Sequence, residues 1–161
     1  MTATHAITLR AASPDDLPVL WELRTRAVAH GCAAHYPESV LATWLATPAP
    51  ESLPRLLSAG GGVAALEAGR VLGYAVLDAA SGEVDAVFVE PDAQGRGVGA
   101  LLIEALEEMA LRAGRERLFL SASLNAVPFY RRAGFQAVRK ELYPHRSGIA
   151  IASVYMEKQI A

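Results

Sequence analysis

The apolar and polar positions change their period several times along the chain, and each change marks a predicted strand or helix. Residues 7–11 alternate between apolar and polar side chains, which is the period of a half-buried strand. Ser13, Pro14 and two aspartates follow, a combination that favours a helix N-terminus. We therefore predict a first helix that runs to about residue 29 and a shorter amphipathic helix that contains Trp44.

The second part of the chain predicts strands interrupted by one long amphipathic helix. Ala68-Gly69 joins two strand-like segments as a hairpin turn does. The helix predicted over residues 97–113 has apolar side chains three and four positions apart, with charged side chains opposite. Its predicted buried positions are Val98, Leu101, Leu102, Ala105, Leu106, Met109 and Ala113. The remaining predicted elements are strands at 63–67, 70–77, 83–90, 117–121, 135–142 and 149–158 and a short helix at 126–133.

The element order β-α-α-β-β-β-α-β-α-β-β predicts an α/β fold with a mixed sheet. The chain of 161 residues fits one domain over residues 1–161. Residues 1–80 hold 5 Lys+Arg and 7 Asp+Glu, and residues 81–161 hold 10 of each, so neither half has the basic surface that nucleic acid requires. We expect no nucleic-acid partner.

The chain also lacks the sequence features of an exported or membrane protein. Residues 1–5 have neither a basic nor an apolar leader, and no apolar run of about 18 residues follows. Cys32 is the single cysteine, which indicates a reducing compartment. We expect a cytoplasmic protein with no membrane partner. Abundant alanine and the preference for arginine over lysine are typical of a high-GC bacterial genome.

A glycine-rich segment, Gln-Gly-Arg-Gly-Val-Gly-Ala at residues 94–100, lies between a predicted strand and the long helix. Such a loop brings free backbone N–H groups to an anion such as a phosphate, although a tight turn is the simpler interpretation. A Walker A loop is excluded, because Lys and Ser/Thr do not follow Gly99. A dinucleotide fingerprint matches the glycines, but it should follow the first strand and precede an acidic residue on the next one. Residues 118–121 contain no such acid.

The same loop resembles another family. Gln94-x-x-Gly97-x-Gly99 is similar to the pyrophosphate loop of the GNAT superfamily of acyl-CoA-dependent N-acetyltransferases. Residues 87–91 are similar to the end of that family's fourth strand, and residues 125–135 are similar to the segment after its fifth strand. The element order agrees over about residues 7–158. The resemblance implies a mostly antiparallel sheet flanked by helices, with the fourth and fifth strands splayed apart, and acetyl-CoA as co-substrate.

The resemblance also implies which residues bind acetyl-CoA. The backbone of Phe88 and Val89, on the fourth strand, would pair with the pantetheine arm, and the N–H groups of residues 95–100 would bind the pyrophosphate. Arg96 and Arg132 are candidate phosphate partners, and their alternative role is that of ordinary solvated side chains. Asn125 would hydrogen-bond the arm, cap the following helix, or both. The implied cofactor-binding residues are Phe88, Val89, Gln94, Gly95, Arg96, Gly97, Val98, Gly99, Ala100, Asn125, Tyr130 and Arg132.

Acetyl transfer to an amine needs a base for the amine proton and a proton donor for the departing sulfur. Alternation along the strand predicts that Glu83 and Asp85 share a face with Val87 and Val89. Glu83 matches a position where the family often has its carboxylate base, with Asp85 as the second candidate and a water chain as the third. Tyr130 matches the family's tyrosine near the thioester sulfur, and its alternative role is packing.

The predicted acceptor pocket comes from the region of the first two helices and from the turn before the last strand, because family members commonly line the pocket there. Its candidate residues are His30, His35, Tyr36, Trp44, His145 and Arg146. A zinc site at His30, Cys32, His35 and Glu38 is the alternative, but the spacing places no ligand pair on one helical face. We expect no metal.

The resulting hypothesis is an N-acetyltransferase in which a primary amine attacks acetyl-CoA directly in a ternary complex. No covalent intermediate is expected, because Cys32 lies far from the loop in the sequence. A small-molecule acceptor is favoured over a peptide or protein amine, and the last strand is a candidate dimer edge. The alternative function is a non-catalytic acyl-CoA sensor.

Overall fold

A computed structural model describes residues 6–161, so the predicted absence of a leader at residues 1–5 lies outside the described part. The chain forms seven strands and five helices within that range. The strands are β1 (Thr8–Ala11), β2 (Gly62–Glu67), β3 (Arg70–Asp78), β4 (Glu83–Val89), β5 (Arg117–Ser123), β6 (Gln136–Pro144) and β7 (Ala150–Gln159). The helices are α1 (Leu17–Cys32), α2 (Glu38–Ala46), α3 (Ser52–Ser58), α4 (Val98–Arg112) and α5 (Val127–Arg132). No helix in residues 6–161 is long and apolar enough to cross a membrane.

The strands form one sheet in the order β1-β2-β3-β4-β5-β7-β6. Every neighbouring pair is antiparallel except β4 and β5, which run parallel. These two strands pair at one position, Glu83 with Phe119, and then separate. The predicted mixed sheet and the splay of the fourth and fifth strands are confirmed. Beyond Glu83, the facing edges of β4 and β5 therefore carry no ladder between them.

Two apolar layers cover the two faces of the sheet. On one face, α4 contributes Leu102 and Leu106 to a cluster with Leu72 of β3 and Leu118 of β5. On the other face, α1 and α3 cover β2 and β3 with a cluster that contains Leu20, Leu23, Leu53, Leu57, Tyr74 and Val76. Burying one leucine side chain stabilises the fold by roughly 1.5–3 kcal/mol. These layers fix the sheet on which the site is built.

The long helix departs from its predicted boundary at the C-terminal end. α4 ends at Arg112, and its buried side chains include Ile103 and Ala110. Ala113 was predicted to be buried but is exposed, because the chain leaves the helix there and turns at Gly114, whose φ is +79°. The helix therefore presents its apolar face over a slightly shorter length than the sequence pattern predicts.

A β-bulge in β4 changes which side chains share a face. Val76 of β3 pairs with Ala86, and the next β3 residue pairs with Val84, so Asp85 has no partner on β3. Side chains on both sides of the bulge show the effect. Val84, Val87 and Val89 pack in the α4 layer, whereas Ala86 and Phe88 pack in the α1 layer.

The prediction that Glu83 and Asp85 share a face with Val87 and Val89 is therefore wrong. An extra residue in a strand interrupts the period-two alternation on which that prediction rested. Since Val84 faces α4, the neighbouring Glu83 lies on the α1 face of the sheet together with Phe88. The two carboxylates consequently lie on the side of the sheet that α1 and α2 cover.

Candidate active site

A cavity of about 860 Å³ lies where β4 and β5 separate. The end of α1, α2, the glycine loop, α5 and the turn between β6 and β7 complete its wall. This volume is within the range of sites that hold a sizeable small molecule. The lining includes the predicted site residues His30, Trp44, Glu83, Asp85, Phe88, Val89, Gln94, Gly95, Gly97, Val98, Gly99, Ala100, Asn125, Tyr130, Arg132 and His145. The structure thus brings sixteen of the predicted site residues together around one cavity.

The glycine loop gives the cavity an anion-binding end. Gly95 and Gly97 have φ values of +79° and +81°, which favour glycine, and a Cβ at either position would meet nothing within 4 Å. Gly97 is the residue before α4, and no side chain caps the first N–H groups of that helix. Free N–H groups at a helix N-terminus, together with the helix dipole, bind phosphate. Gly99 has a different role, because a Cβ there would lie 2.6 Å from the Phe129 ring.

Gln94 closes the loop against the strand that precedes it. Its Nε2 donates a hydrogen bond to the backbone carbonyl of Val89 at 3.2 Å. The loop arginine lies elsewhere, since the Arg96 guanidinium pairs with Glu67 of β2 and is outside the cavity lining. Arg96 was a predicted phosphate partner, and this ion pair directs it to the sheet surface instead. Arg132 does line the cavity.

Tyr130 of α5 lies on the cavity wall. Only 7% of the residue is exposed, and its ring packs against Phe129 and Phe135 at centroid distances of 5.0 and 5.5 Å. Burial raises the pKa of the Tyr130 phenol well above its usual value. The hydroxyl therefore stays protonated at neutral pH and can act as a hydrogen-bond or proton donor to a group in the cavity.

Glu83 and Asp85 face the cavity from β4. Both carboxyls are in contact with cavity solvent but are enclosed by protein atoms. This desolvation is the main cause that raises the pKa of each carboxyl, and neighbouring carboxyls, Asp78 among them, add to it. A carboxylate with a raised pKa is a stronger base than an exposed carboxylate with the ordinary pKa.

The structure removes one of the two roles predicted for Asn125 and the reason for setting Cys32 aside. Asn125 lies inside a short 3-10 turn, and the residue that precedes α5 is Ala126, so Asn125 does not cap that helix. Cys32 is far from the loop in sequence but lines the same cavity, where its thiol donates to Asn125 Oδ1 at 3.2 Å. Burial raises the pKa of Cys32 to about 11, so the group is a thiol rather than a nucleophilic thiolate.

The predicted acceptor residues divide into two groups. His30, Trp44 and His145 line the cavity, whereas His35, Tyr36 and Arg146 are outside its lining. His35 is exposed just after α1. The Tyr36 hydroxyl donates to the carbonyl of Ala152 and accepts from the N–H of Leu124. These bonds hold Tyr36 behind the wall, where its ring packs edge-on against Trp44 at 5.3 Å.

Several lining residues were not predicted from the sequence. Ser123, Tyr143 and Ser153 line the cavity, and the Ser153 hydroxyl is buried with no hydrogen-bond partner in the described chain. A serine within the apolar segment of β7 was the one available signal for this position. In residues 6–161, no group of three or more His, Cys, Asp or Glu residues is arranged to hold a metal ion.

Comparison with known proteins decides the family. The model of the GNAT acetyltransferase domain matches residues 32–159. The chain belongs to the GNAT acetyltransferase family. It is 27% identical over 135 residues to the uncharacterised N-acetyltransferase YafP of Escherichia coli K12, covering 84% of this chain and 85% of that protein.

Solved GNAT structures share the whole fold. A GCN5-related N-acetyltransferase from Rhodopseudomonas palustris superposes with a TM-score of 0.85 at 27% identity, covering 99% of both chains. The PaiA N-acetyltransferase of Thermoplasma acidophilum, solved with coenzyme A, gives a TM-score of 0.77 at 19% identity, over 96% of this chain and 99% of that one. This GNAT protein is therefore an acetyltransferase with the expected mixed α/β fold.

Proposed function

We propose that this GNAT acetyltransferase transfers the acetyl group of acetyl-CoA to a primary amine by direct attack in a ternary complex. The observation that carries the proposal is the cavity between β4 and β5, which joins a phosphate-binding helix end to a pair of carboxylates. Acetyl-CoA has its phosphates and its thioester at opposite ends of an extended arm. The cavity therefore offers complementary groups at both ends of one ligand.

The cofactor-binding half of the proposal rests on backbone groups. The edge of β4 that faces β5 has no strand beside it at Phe88 and Val89, so the peptide groups that point to this edge can pair with the amides of pantetheine as a strand would. The Val89 carbonyl already accepts from Gln94 and has a second lone pair for the ligand. The pyrophosphate binds to the N–H groups of residues 95–100, and Arg132 adds a positive charge at the same end. The Asn125 amide has its oxygen occupied by Cys32, so it offers its N–H groups to the arm.

The chemistry requires two proton transfers. The neutral amine attacks the thioester carbon, a C–N bond forms and the C–S bond breaks, and the acetylated nitrogen loses a proton. Glu83 takes that proton, directly or through a water, with Asp85 as the second candidate. The departing thiolate receives a proton from Tyr130, which then recovers one from solvent. Cys32 forms no covalent intermediate, because its raised pKa keeps it protonated.

A small molecule is the favoured acceptor. Trp44, Tyr143 and His145 line the same cavity as the two carboxylates, and their rings offer contact surface for a small amine. The decisive experiment is a screen of amines with release of free CoA as the readout. Turnover with any amine supports the enzyme, whereas acetyl-CoA binding without release for every amine supports the sensor.

Substituting Gly97 by valine is expected to weaken acetyl-CoA binding about tenfold or more. A valine with φ near +81° is strained, so we expect the backbone of the loop to shift. The N–H groups of residues 95–100 would then no longer point to the pyrophosphate. The measurement is the rise in melting temperature on adding acetyl-CoA, which reports affinity through mass action. NADH should produce no rise.

Gly69→Val is the matched control for this change. Gly69 has φ +82° and open space around it, as Gly97 does, but it lies in the β2–β3 turn outside the cavity lining. Gly69→Val should keep wild-type affinity for acetyl-CoA. A folded Gly97→Val protein with unchanged affinity would show that the loop does not bind the cofactor.

A further inference from the structure

Two arginines, Arg24 and Arg146, lie outside the cavity lining but adjoin residues of it, Trp44 and His145, and neither has a carboxylate partner in residues 6–161. Arg24 of α1 is only 3% exposed, yet no Asp or Glu of residues 6–161 forms an ion pair with it. It donates to the backbone carbonyl of Trp44 at 2.9 Å and lies over the ring of Trp21 at 4.3 Å. Burying a charge is costly unless an opposite charge compensates it.

Arg146 in the β6–β7 turn adds a second positive charge at the same place. Its guanidinium donates to the carbonyl of Pro48, four residues after the carbonyl that Arg24 binds. Both groups thus bind backbone oxygens around the C-terminal end of α2, which carries about half a negative charge. This half charge leaves most of the charge of the buried Arg24 uncompensated, whereas solvent screens the exposed Arg146. Six arginines are paired with a carboxylate, and the remaining arginines without such a partner are, unlike Arg24, exposed or only partly buried; the paired ones are Arg10, Arg26, Arg70, Arg96, Arg117 and Arg139.

His145 provides a hydrogen-bond donor between these charges and the cavity. It lines the cavity, and its Nδ1 accepts the N–H of Ser147 at 3.3 Å. Burial and the nearby Arg146 and Arg24 lower the pKa of His145 below its usual value, which favours the neutral ring. Nδ1 also lies 2.7 Å from the Ser147 hydroxyl, and the tautomer in which Nδ1 accepts both Ser147 contacts carries the proton of the neutral ring on Nε2.

His145, with Arg24 and Arg146 behind it, gives the cavity wall a basic corner, and Glu83 and Asp85 line the same cavity. From this arrangement we propose that the acceptor amine also carries an anionic oxygen group, a carboxylate or a phosphate. The amine lies toward Glu83 and Asp85, and the anionic group receives a hydrogen bond from His145 in the positive field of Arg24 and Arg146. The proposal rests on the proposed acetyl transfer, and it names the class of acceptor.

The test compares matched amines that differ by the anionic group. The carboxylate pairs are leucine with isopentylamine and 4-aminobutyrate with butylamine, and the phosphate pair is O-phosphoethanolamine with ethanolamine. We expect kcat/KM to be at least about tenfold higher for the anionic member of at least one pair, which corresponds to one favourable polar interaction. Which pair responds distinguishes a carboxylate from a phosphate.

Substitutions at the basic corner should remove this preference. Arg146→Gln and Arg24→Met should bring the two members of the responding pair to within about threefold, while Arg55→Gln, on exposed α3 surface, should keep the wild-type ratio. Arg24 is buried, so its variant is first checked by melting temperature, and His145→Gln takes its place if it does not fold.

The outcomes separate this inference from the proposed function. Equal or better turnover of the neutral amines by the wild-type protein would overturn the inference alone, as would a preference that survives both Arg146→Gln and His145→Gln. Absence of CoA release with every amine, while acetyl-CoA still raises the melting temperature, would overturn the proposed transfer and this inference with it.

Discussion

Replacing Tyr130 with phenylalanine is expected to lower kcat by about 10²-fold, with little change in acetyl-CoA binding. The substitution removes only the hydroxyl, and the ring can keep its contacts with Phe129 and Phe135. A positioned proton donor typically contributes about 10²- to 10⁴-fold to a rate. Steady-state kinetics gives kcat, and the acetyl-CoA-induced rise in melting temperature gives the binding.

Tyr155→Phe is the control for loss of a tyrosine hydroxyl. Tyr155 lies on β7 outside the cavity lining, so its variant should retain wild-type kcat. If Tyr130→Phe also retained it, Tyr130 would be a packing residue and the thiolate would take its proton from solvent. The raised pKa of Tyr130 adds a second expectation: the phenol should cause no loss of activity between pH 7 and pH 10.

The second large effect concerns the pH dependence that Glu83 gives to the reaction. A base must be ionised, so kcat/KM should rise with pH through the pKa of the base. Desolvation and the neighbouring carboxyls raise the pKa of Glu83, which moves this acidic limb above the ordinary value of about 4.3. Glu83→Gln should remove the limb and lower kcat by about 10²-fold.

Asp85→Asn is the matched variant on the same wall of the cavity. It removes one negative neighbour of Glu83, so the limb should persist but move to lower pH. Loss of the limb in Asp85→Asn, with the limb intact in Glu83→Gln, would assign the base to Asp85. An unchanged profile in both variants would indicate a water chain or the ionisation of the substrate itself.

Local sequence signals predicted the parts of this protein that depend on near neighbours. The hairpin at Ala68-Gly69 is one case, since both residues have the positive φ values that a tight hairpin turn requires. The loop at residues 94–100 is another, because its glycines and the following helix act within a few residues of one another. The local patterns also predicted the element order apart from α3, and the family resemblance predicted the splay of β4 and β5.

The remaining errors come from contacts between distant parts of the chain. Nothing in the sequence around Asp85 indicates the β4 bulge. Because of this one extra residue, Glu83 lies on the opposite face of the sheet from the one predicted. Cys32 was set aside because of its distance in sequence, yet α1 brings its thiol to Asn125. Tyr36 was predicted to line the acceptor pocket, but its hydroxyl is bonded to the backbone of Ala152 on β7 and of Leu124 after β5. These two hydrogen bonds hold Tyr36 behind the cavity wall.

The single pairing between Glu83 and Phe119 makes the sheet two half-sheets that meet along a seam. Strands β1 to β4 form one unit and β5, β7 and β6 form the other, and each has a full ladder of its own. A ligand that hydrogen-bonds like a strand would bridge the seam and couple the two units into one cooperative structure. We therefore expect opening motions of the free protein to be concentrated at this seam, with the cofactor itself acting as the clamp that suppresses them.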